Sequence, residues 1–306
     1  MALAIKAVNL TKKFGSFTAV DSISFEIEVG KVIGFLGANG AGKSTTIKML
    51  CGLTLPTSGE VSVAGFDVAK HPGQVRQNIG YMSQKFSLYS DLTVKENIEF
   101  YGGVYGLSNS ELKERFSWVV EVADLKGKEN LLTRDLPLGW RQRLALGCAV
   151  LHRPKIVFLD EPTSGVDPVV RVKFWQLIGQ LSQEGATIIV TTHYLEEAEF
   201  CESIIMMHLG KIVVSGSPEG IRKQYAVLPL FEIDTSDPVS VFNVVESEAW
   251  ITNAAIFGGN VHVYAEIVDP VASLEQLLKK NHIDKFAIAK ASPTLEDIFV
   301  KATRND

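Results

Sequence analysis

Several absences narrow the possibilities before any motif is considered. No apolar run in the sequence approaches the ~20 residues that a membrane-spanning helix needs. The opening stretch, "MALAIKAVNLTKKF", has no basic start followed by a long apolar run, so it does not read as a secretion signal. Basic residues do not predominate: 30 Lys and Arg stand against 35 Asp and Glu, a net charge of -5, with no Lys/Arg stripe to neutralise phosphates. A dedicated nucleic-acid surface is therefore not expected, and a soluble cytoplasmic protein is. Cysteine is scarce. Cys51, Cys148 and Cys201 are odd in number, far apart and set among apolar neighbours, which argues against a disulfide framework or a cysteine metal site and predicts small buried hydrophobes. What remains, 46% hydrophobic and 21% charged residues over 306 positions, predicts two domains, or one domain with an appendage.

The strongest positive signal is "KVIGFLGANGAGKSTTIKMLCGL", which reads as a buried strand, a glycine-rich turn and a helix. Gly37, Gly42, Lys43 and Ser44 match the phosphate-loop spacing G-x-x-x-x-G-K-S/T, and Asn39, Gly40 and Thr45 complete the expected nucleotide-binding set. Glycines let the backbone wrap a phosphate chain with its N–H groups inward, and the helix N-terminus adds a positive dipole end. Lys43 is expected to reach the β- and γ-phosphates, and Ser44 to ligate magnesium.

A second strand, in "KIVFLDEPTSGVD", ends on adjacent carboxylates. Its continuous apolar run suits a strand buried on both faces of a parallel sheet, with Asp160 and Glu161 emerging at its C-terminal tip. The first is expected to hold magnesium, usually through water, and the second to orient and deprotonate an attacking water in phosphoryl transfer. A third strand, in "ATIIVTTHYLEEAE", places His193 one residue beyond its polar tip.

Taken together, these motifs resemble the nucleotide-binding subunit of an ATP-binding cassette (ABC) transporter, over about residues 3 to 220. The resemblance implies a phosphate-loop α/β core with an antiparallel β subdomain and an α-helical subdomain, binding ATP and Mg2+. It also implies roles for single residues: Phe14 in "TKKFGSFTAV" stacks on adenine, and Gln84 in "IGYMSQ" touches the metal or its water beside the surface that meets a membrane subunit. Asp167 in "SGVD" reaches across a dimer interface, and His193 contacts the γ-phosphate. Two such subunits close face to face around two ATP molecules, each held between one phosphate loop and the other subunit's signature motif. The implied partners are integral-membrane permease subunits and a second nucleotide-binding domain, identical or unlike. The implied location is peripheral, on the cytoplasmic face of the inner or plasma membrane.

Between about residues 86 and 153 the sequence turns helical. Thr93 and Glu96 have capping-box spacing, and Leu112, Phe116, Val119, Val120 and Val122 recur at mainly helical intervals, as a core-facing stripe does. The stretch "LPLGWRQRLALG" then departs from the family's signature, L-S-G-G-Q. Leu136, Gly139, Arg141, Gln142 and Arg143 align, but Pro137, Leu138 and Trp140 replace the serine, a glycine and the glutamine. A hydroxyl and a backbone N–H are lost, and a side chain appears where close phosphate approach favours none. Gly139 and the following helix N-terminus remain as an attraction for phosphate. Because a signature serves the partner's ATP, the alteration leaves this chain's own Lys43, Asp160, Glu161 and His193 intact.

The family core is expected to occupy residues 1–225 and an accessory domain residues 226–306. The latter runs β-α-β-β-α-β, from "LPLFEID" through "NVHVYAEI" to "FAIAKA", and suggests a small ferredoxin-like unit with a structural or dimerising role. "SPTLEDIFVKAT" closes it and resembles the tail of ATPases from exporters of drugs, antibiotics and polysaccharides. The expected function is ATP hydrolysis driving export. The alternatives are a regulatory or weakly hydrolytic subunit of an asymmetric pair, and a soluble cassette protein outside transport.

Overall fold

The computed structural model describes residues 2–84, 88–225, 229–265 and 267–304. Expected positions at 86, 226, 228 and 266 lie outside the described residues. The chain divides into two compact units, residues 1–215 and 216–306. The division falls before the helix Pro218–Tyr225, which packs against the terminal helix Leu295–Arg304 and so groups with the second unit. Among the described residues no helix is long and apolar enough to cross a membrane.

In the first unit a six-stranded sheet runs in the order Lys211–Gly216, Ser203–His208, Val32–Leu36, Thr187–Thr192, Ile156–Asp160, Ile79–Met82. The last five are mutually parallel. Every residue of Val32–Leu36, Ile156–Asp160 and Thr187–Thr192 is buried, which is why these segments read as uninterrupted apolar or β-branched runs. Parallel strands align their C-terminal tips at one edge, and that edge carries the phosphate loop, the Asp160–Glu161 pair, Gln84 and His193.

A four-stranded antiparallel sheet adjoins this core. Its long hairpin, Leu3–Phe14 with Phe17–Glu28, turns at Gly15 with φ 60° and sets Phe14 opposite Phe17. Ile5 and Ala7 face the core on either side of the exposed Lys6, and after an irregularity in the pairing between Ala7 and Leu10 the chain turns Leu10 inward as well.

The helical region has the helices Val94–Val104, Asn109–Val122 and Leu138–Ala149. Thr93 and Glu96 form the expected capping box, and Ser108 with Glu111 forms a second. Of the apolar stripe, Val119 and Val120 are buried, with Val119 packed over Gly147; Leu112 lies against Gly102. Arg115 is buried on the same helix. Its guanidinium donates to the carbonyls of Leu151 and Val150 at 3.0 Å each, satisfying the end of the helix Leu138–Ala149. The three cysteines are buried and free, and burial pushes each thiol pKa up, as inert packing residues require.

The second unit is an antiparallel sheet in the order Ile251–Phe257, Asn260–Ala265, Leu230–Thr235, Phe286–Ala291, the strand order of a ferredoxin-like fold. Helices Pro238–Glu246 and Pro270–Lys280 cover one face, over Phe231, Ile233, Val261 and Val263. Each begins with Pro at its first position and an Asp N-cap, Asp237 or Asp269. His262 and Tyr264 point to the opposite face, where Asp297 and Lys301 of the terminal helix meet them.

Candidate nucleotide-binding site

The loop between Leu36 and Lys43 bends where only glycine fits. Gly37 and Gly42 adopt φ 148° and 103°, and a Cβ on either would collide with a carbonyl oxygen, of Met207 or of Ala19. The turn aims the helix Lys43–Leu50 into a cavity of about 350 Å³. Asn39, Gly40, Gly42, Lys43, Ser44 and Thr45 line it, together with Gln84 and Glu161 from other strands.

Lys43 is buried, and its Nζ donates to the carbonyls of Gly37 and Ala38 at 2.7 and 3.1 Å. Burial lowers its pKa, against the raising influence of the Glu161 and Asp160 charges. Ser44 donates to Asp160 Oδ1 at 2.8 Å, and Thr191 donates to the same oxygen at 2.7 Å. Thr191 also accepts the Glu161 N–H at 2.9 Å, so one hydroxyl orients both carboxylate residues. Nothing in the sequence marked Thr191 as part of the site.

Glu161 is the point of convergence. Its Oε2 accepts from Gln84 Nε2 at 2.9 Å and lies 3.5 Å from His193 Nδ1; its Oε1 lies 3.9 Å from Lys43 Nζ. Its backbone is left-handed, with φ 49°, an uncommon conformation for a long side chain that the buried surroundings enforce. A carboxylate so held, next to a phosphate cradle, has the position a general base requires.

The residues at hand fit magnesium. Ser44 Oγ lines the cavity and bonds the buried Asp160 Oδ1, so the two are adjacent hard oxygens, and Gln84 brings a side-chain amide to the same cavity. A single carboxylate with a hydroxyl suits a cation that keeps waters and phosphate oxygens as its other ligands.

Phe14 and Phe17 flank the same turn but differ in placement. Phe14 is half-exposed beneath Lys12 Nζ, 5.1 Å from its ring centre, and does not line the cavity; Phe17 and Ala19 do. The repeat of aromatics in "FGSF" was the available signal for Phe17.

Gly139 and Asp167 are not brought to the phosphate loop. They line a separate groove, also of about 350 Å³, with Pro137, Leu138, Trp140 and Val170. Pro137 starts the helix Leu138–Ala149 without a side-chain cap, and the N–H groups of Trp140 and Arg141 turn back to its carbonyl. Gly139 has a packing reason of its own, since a Cβ there would sit 2.5 Å from Val170 Cγ1. The Trp140 ring lies under Lys128 Nζ at 4.7 Å. Arg143 is buried, donating to Ala123 O at 3.0 Å, so this basic residue braces the subdomain. The Asp167 carboxylate accepts from the N–H groups of Val169 and Val170, capping the helix Pro168–Gln183.

Comparison with known proteins agrees with this geometry. A sequence profile described as ABC transporter matches residues 20–164. The "Probable multidrug ABC transporter ATP-binding protein YbhF" of Escherichia coli is 50% identical over 222 residues, which are 72% of this chain and 38% of that protein. This chain thus spans well under half the length of that relative. The "Linearmycin resistance ATP-binding protein LnrL" of Bacillus subtilis is 32% identical over 304 residues, 98% of each chain. Among solved structures, a dimeric ATP-binding cassette in a post-hydrolysis state with ADP and phosphate matches with a TM-score of 0.64. It is 29% identical and covers 70% of this chain and 98% of that one.

Proposed function

The chain belongs to the ABC transporter family, and on that premise we propose that it binds and hydrolyses ATP to drive export through membrane subunits. The observation that carries this reading is the meeting of Lys43, Gln84 and His193 around the Glu161 carboxylate. In it, Lys43 and the N–H groups of the loop from Gly37 through Asn39, Gly40 and Gly42 to Thr45 bind the phosphates. Ser44, Asp160 and Gln84 would hold Mg2+, which would supply positive charge against the phosphates. Glu161 accepts the proton of the attacking water, and His193 contacts the γ-phosphate. Phe14, exposed at the hairpin turn outside the phosphate cavity, stacks on an adenine that projects beyond that cavity.

Gly139 and Asp167 act on the nucleotide of a second cassette facing this one, which is consistent with their separation from the phosphate loop. Membrane permease subunits are the other partners, met on the cytoplasmic face of the inner or plasma membrane. A groove of about 800 Å³, between the sheet edge at Ile79 and Tyr81 and the helical region at Tyr105 and Leu107, has the size to seat such a partner's element. The names of the relatives suggest a drug or antibiotic as cargo. A second reading, an asymmetric pair with an unlike cassette, is favoured by Pro137 and Leu138 in the signature.

The test is phosphate release by the purified chain with its copurifying partners. Glu161→Gln is expected to lower the rate at least about 100-fold while ATP binding stays within a few-fold. Full activity of that variant would overturn the assignment of the base.

A further inference from the structure

Among the described residues of the first unit, Glu197 is a buried carboxylate that lies outside the site described above. Glu197, on the short helix Leu195–Phe200, is 1% exposed. Its Oε1 accepts from Thr163 Oγ1 at 2.6 Å and lies 3.5 Å from Arg171 Nε, beyond hydrogen-bond length. Its Oε2 has no hydrogen-bond partner among the described residues. A buried carboxylate so thinly compensated costs stability, and an apolar residue of similar volume would be cheaper there.

What the charge joins gives the reason to keep it. Thr163 is two residues beyond Glu161. Arg171 stands on the helix that Asp167 caps, and its guanidinium also donates to Val166 O at 3.4 Å. The same guanidinium lies 4.2 Å over the ring of Tyr194, which neighbours His193 and packs on it with ring centres 4.1 Å apart. Glu197 closes the circuit, since its own N–H donates to Tyr194 O at 3.1 Å. Two segments, 161–167 and 192–194, are thereby fastened to each other through residues that do not line the phosphate-loop cavity.

We propose that Glu197, through Arg171 and Thr163, is a positioning residue that holds His193 in register with Glu161 and Asp167. The proposal rests on the ATPase reading and deepens it. None of the three lines the phosphate-loop cavity, so the network acts on the chemical step rather than on nucleotide affinity.

The experiment measures kcat and KM for ATP in the wild type, Glu197→Gln, His193→Ala and the double variant, with Glu197→Asp as the conservative control. Glu197→Gln is expected to lower kcat about 10-fold with KM within about 2-fold, and Glu197→Asp to recover part of the loss. In the His193→Ala background the same change is expected to cost less than about 2-fold, because its effect passes through that histidine. An undiminished loss in that background, or wild-type kcat in Glu197→Gln, overturns the proposal. Absence of hydrolysis in the wild type instead counts against the ATPase reading itself. In that case, or if the His193→Ala rate is too low to divide, hydrogen exchange of the full chain decides. Faster exchange at the Tyr194 N–H, which is bonded to Thr192 Oγ1, in Glu197→Gln supports the network, and unchanged exchange rejects it.

Discussion

Gln84 donates its side-chain amide to Glu161 across 2.9 Å, joining two sheet-edge residues that are 77 positions apart in the chain. The oxygen it holds is the one nearest His193, so hydrogen bonding from one strand tip orients the carboxylate that another strand tip delivers. The rotamer of Glu161 is thus set by partners that belong to the site.

Its backbone is set at a cost. With φ 49° a side chain at position 161 is strained, and glycine is not. Both Glu161→Gly and Glu161→Ala remove the carboxylate, so their difference isolates the backbone. Glu161→Gly is expected to be more stable than Glu161→Ala by about 1 kcal/mol in chemical denaturation. Equal stabilities would show that the conformation relaxes without cost.

The glycine of the altered signature has a packing role that a methyl group tests. Gly139→Ala places its Cβ about van der Waals overlap distance from Val170 and is expected to destabilise the first unit by roughly 1–3 kcal/mol. Adding Val170→Ala should return most of that loss. If the double variant melts as low as the single one, the contact with Val170 is not what the methyl group offends.

The neighbouring substitutions bear on turnover. A chain carrying Pro137→Ser and Leu138→Gly regains a hydroxyl, a backbone N–H and room for phosphate approach. Purified alone, and paired with a second copy of itself in the proposed face-to-face arrangement, it is expected to hydrolyse ATP at least about 3-fold faster than the wild type. No gain in phosphate release would sink the idea that this motif limits the rate.

In the second unit, His262 Nδ1 lies 2.8 Å from Asp297 Oδ1 and Nε2 lies 3.2 Å from Glu232 Oε2, tying the terminal helix to the sheet. Burial lowers its pKa, but hydrogen bonds and charge from Asp297 and then Glu232 outweigh burial, and the net direction is up from 6.5. A folded-state pKa above the unfolded one gives stability that is complete below about pH 6.5 and is lost as pH rises through the folded value. Stability of the full chain against denaturant, followed at Trp250 of this unit, should therefore fall as pH rises above about 6.5 more steeply in wild type than in His262→Gln. Parallel pH profiles would show that the histidine carries no such linkage.

Much of the fold was legible because its signals are local. Buried strands announced themselves as apolar runs, the phosphate loop by its glycine spacing, and the first helix of the helical region by Thr93 and Glu96. The β-α-β-β-α-β succession of the accessory unit was legible in the rhythm of its short runs. Arg115 and Arg143 were harder, since a charged residue at a helical position reads as solvent-facing until carbonyls without partners are found beside it.

The sequence by itself determined which chemistry is present: a cradle for phosphates, two adjacent carboxylates, a histidine beyond a strand tip and a signature with altered residues. Periodicity and spacing act over a few residues, and those features are written within a few residues. Only the tertiary structure decided what meets what. Ser44 finds Asp160 across 116 positions, Thr191 serves both carboxylates, and Glu161 gathers Gln84, Lys43 and His193. It also turned Phe17 rather than Phe14 toward the cavity, and set Gly139 against Val170. The physical reason is strand order, because a parallel sheet brings the tips of distant segments to one edge, and no local pattern encodes which strand lies beside which.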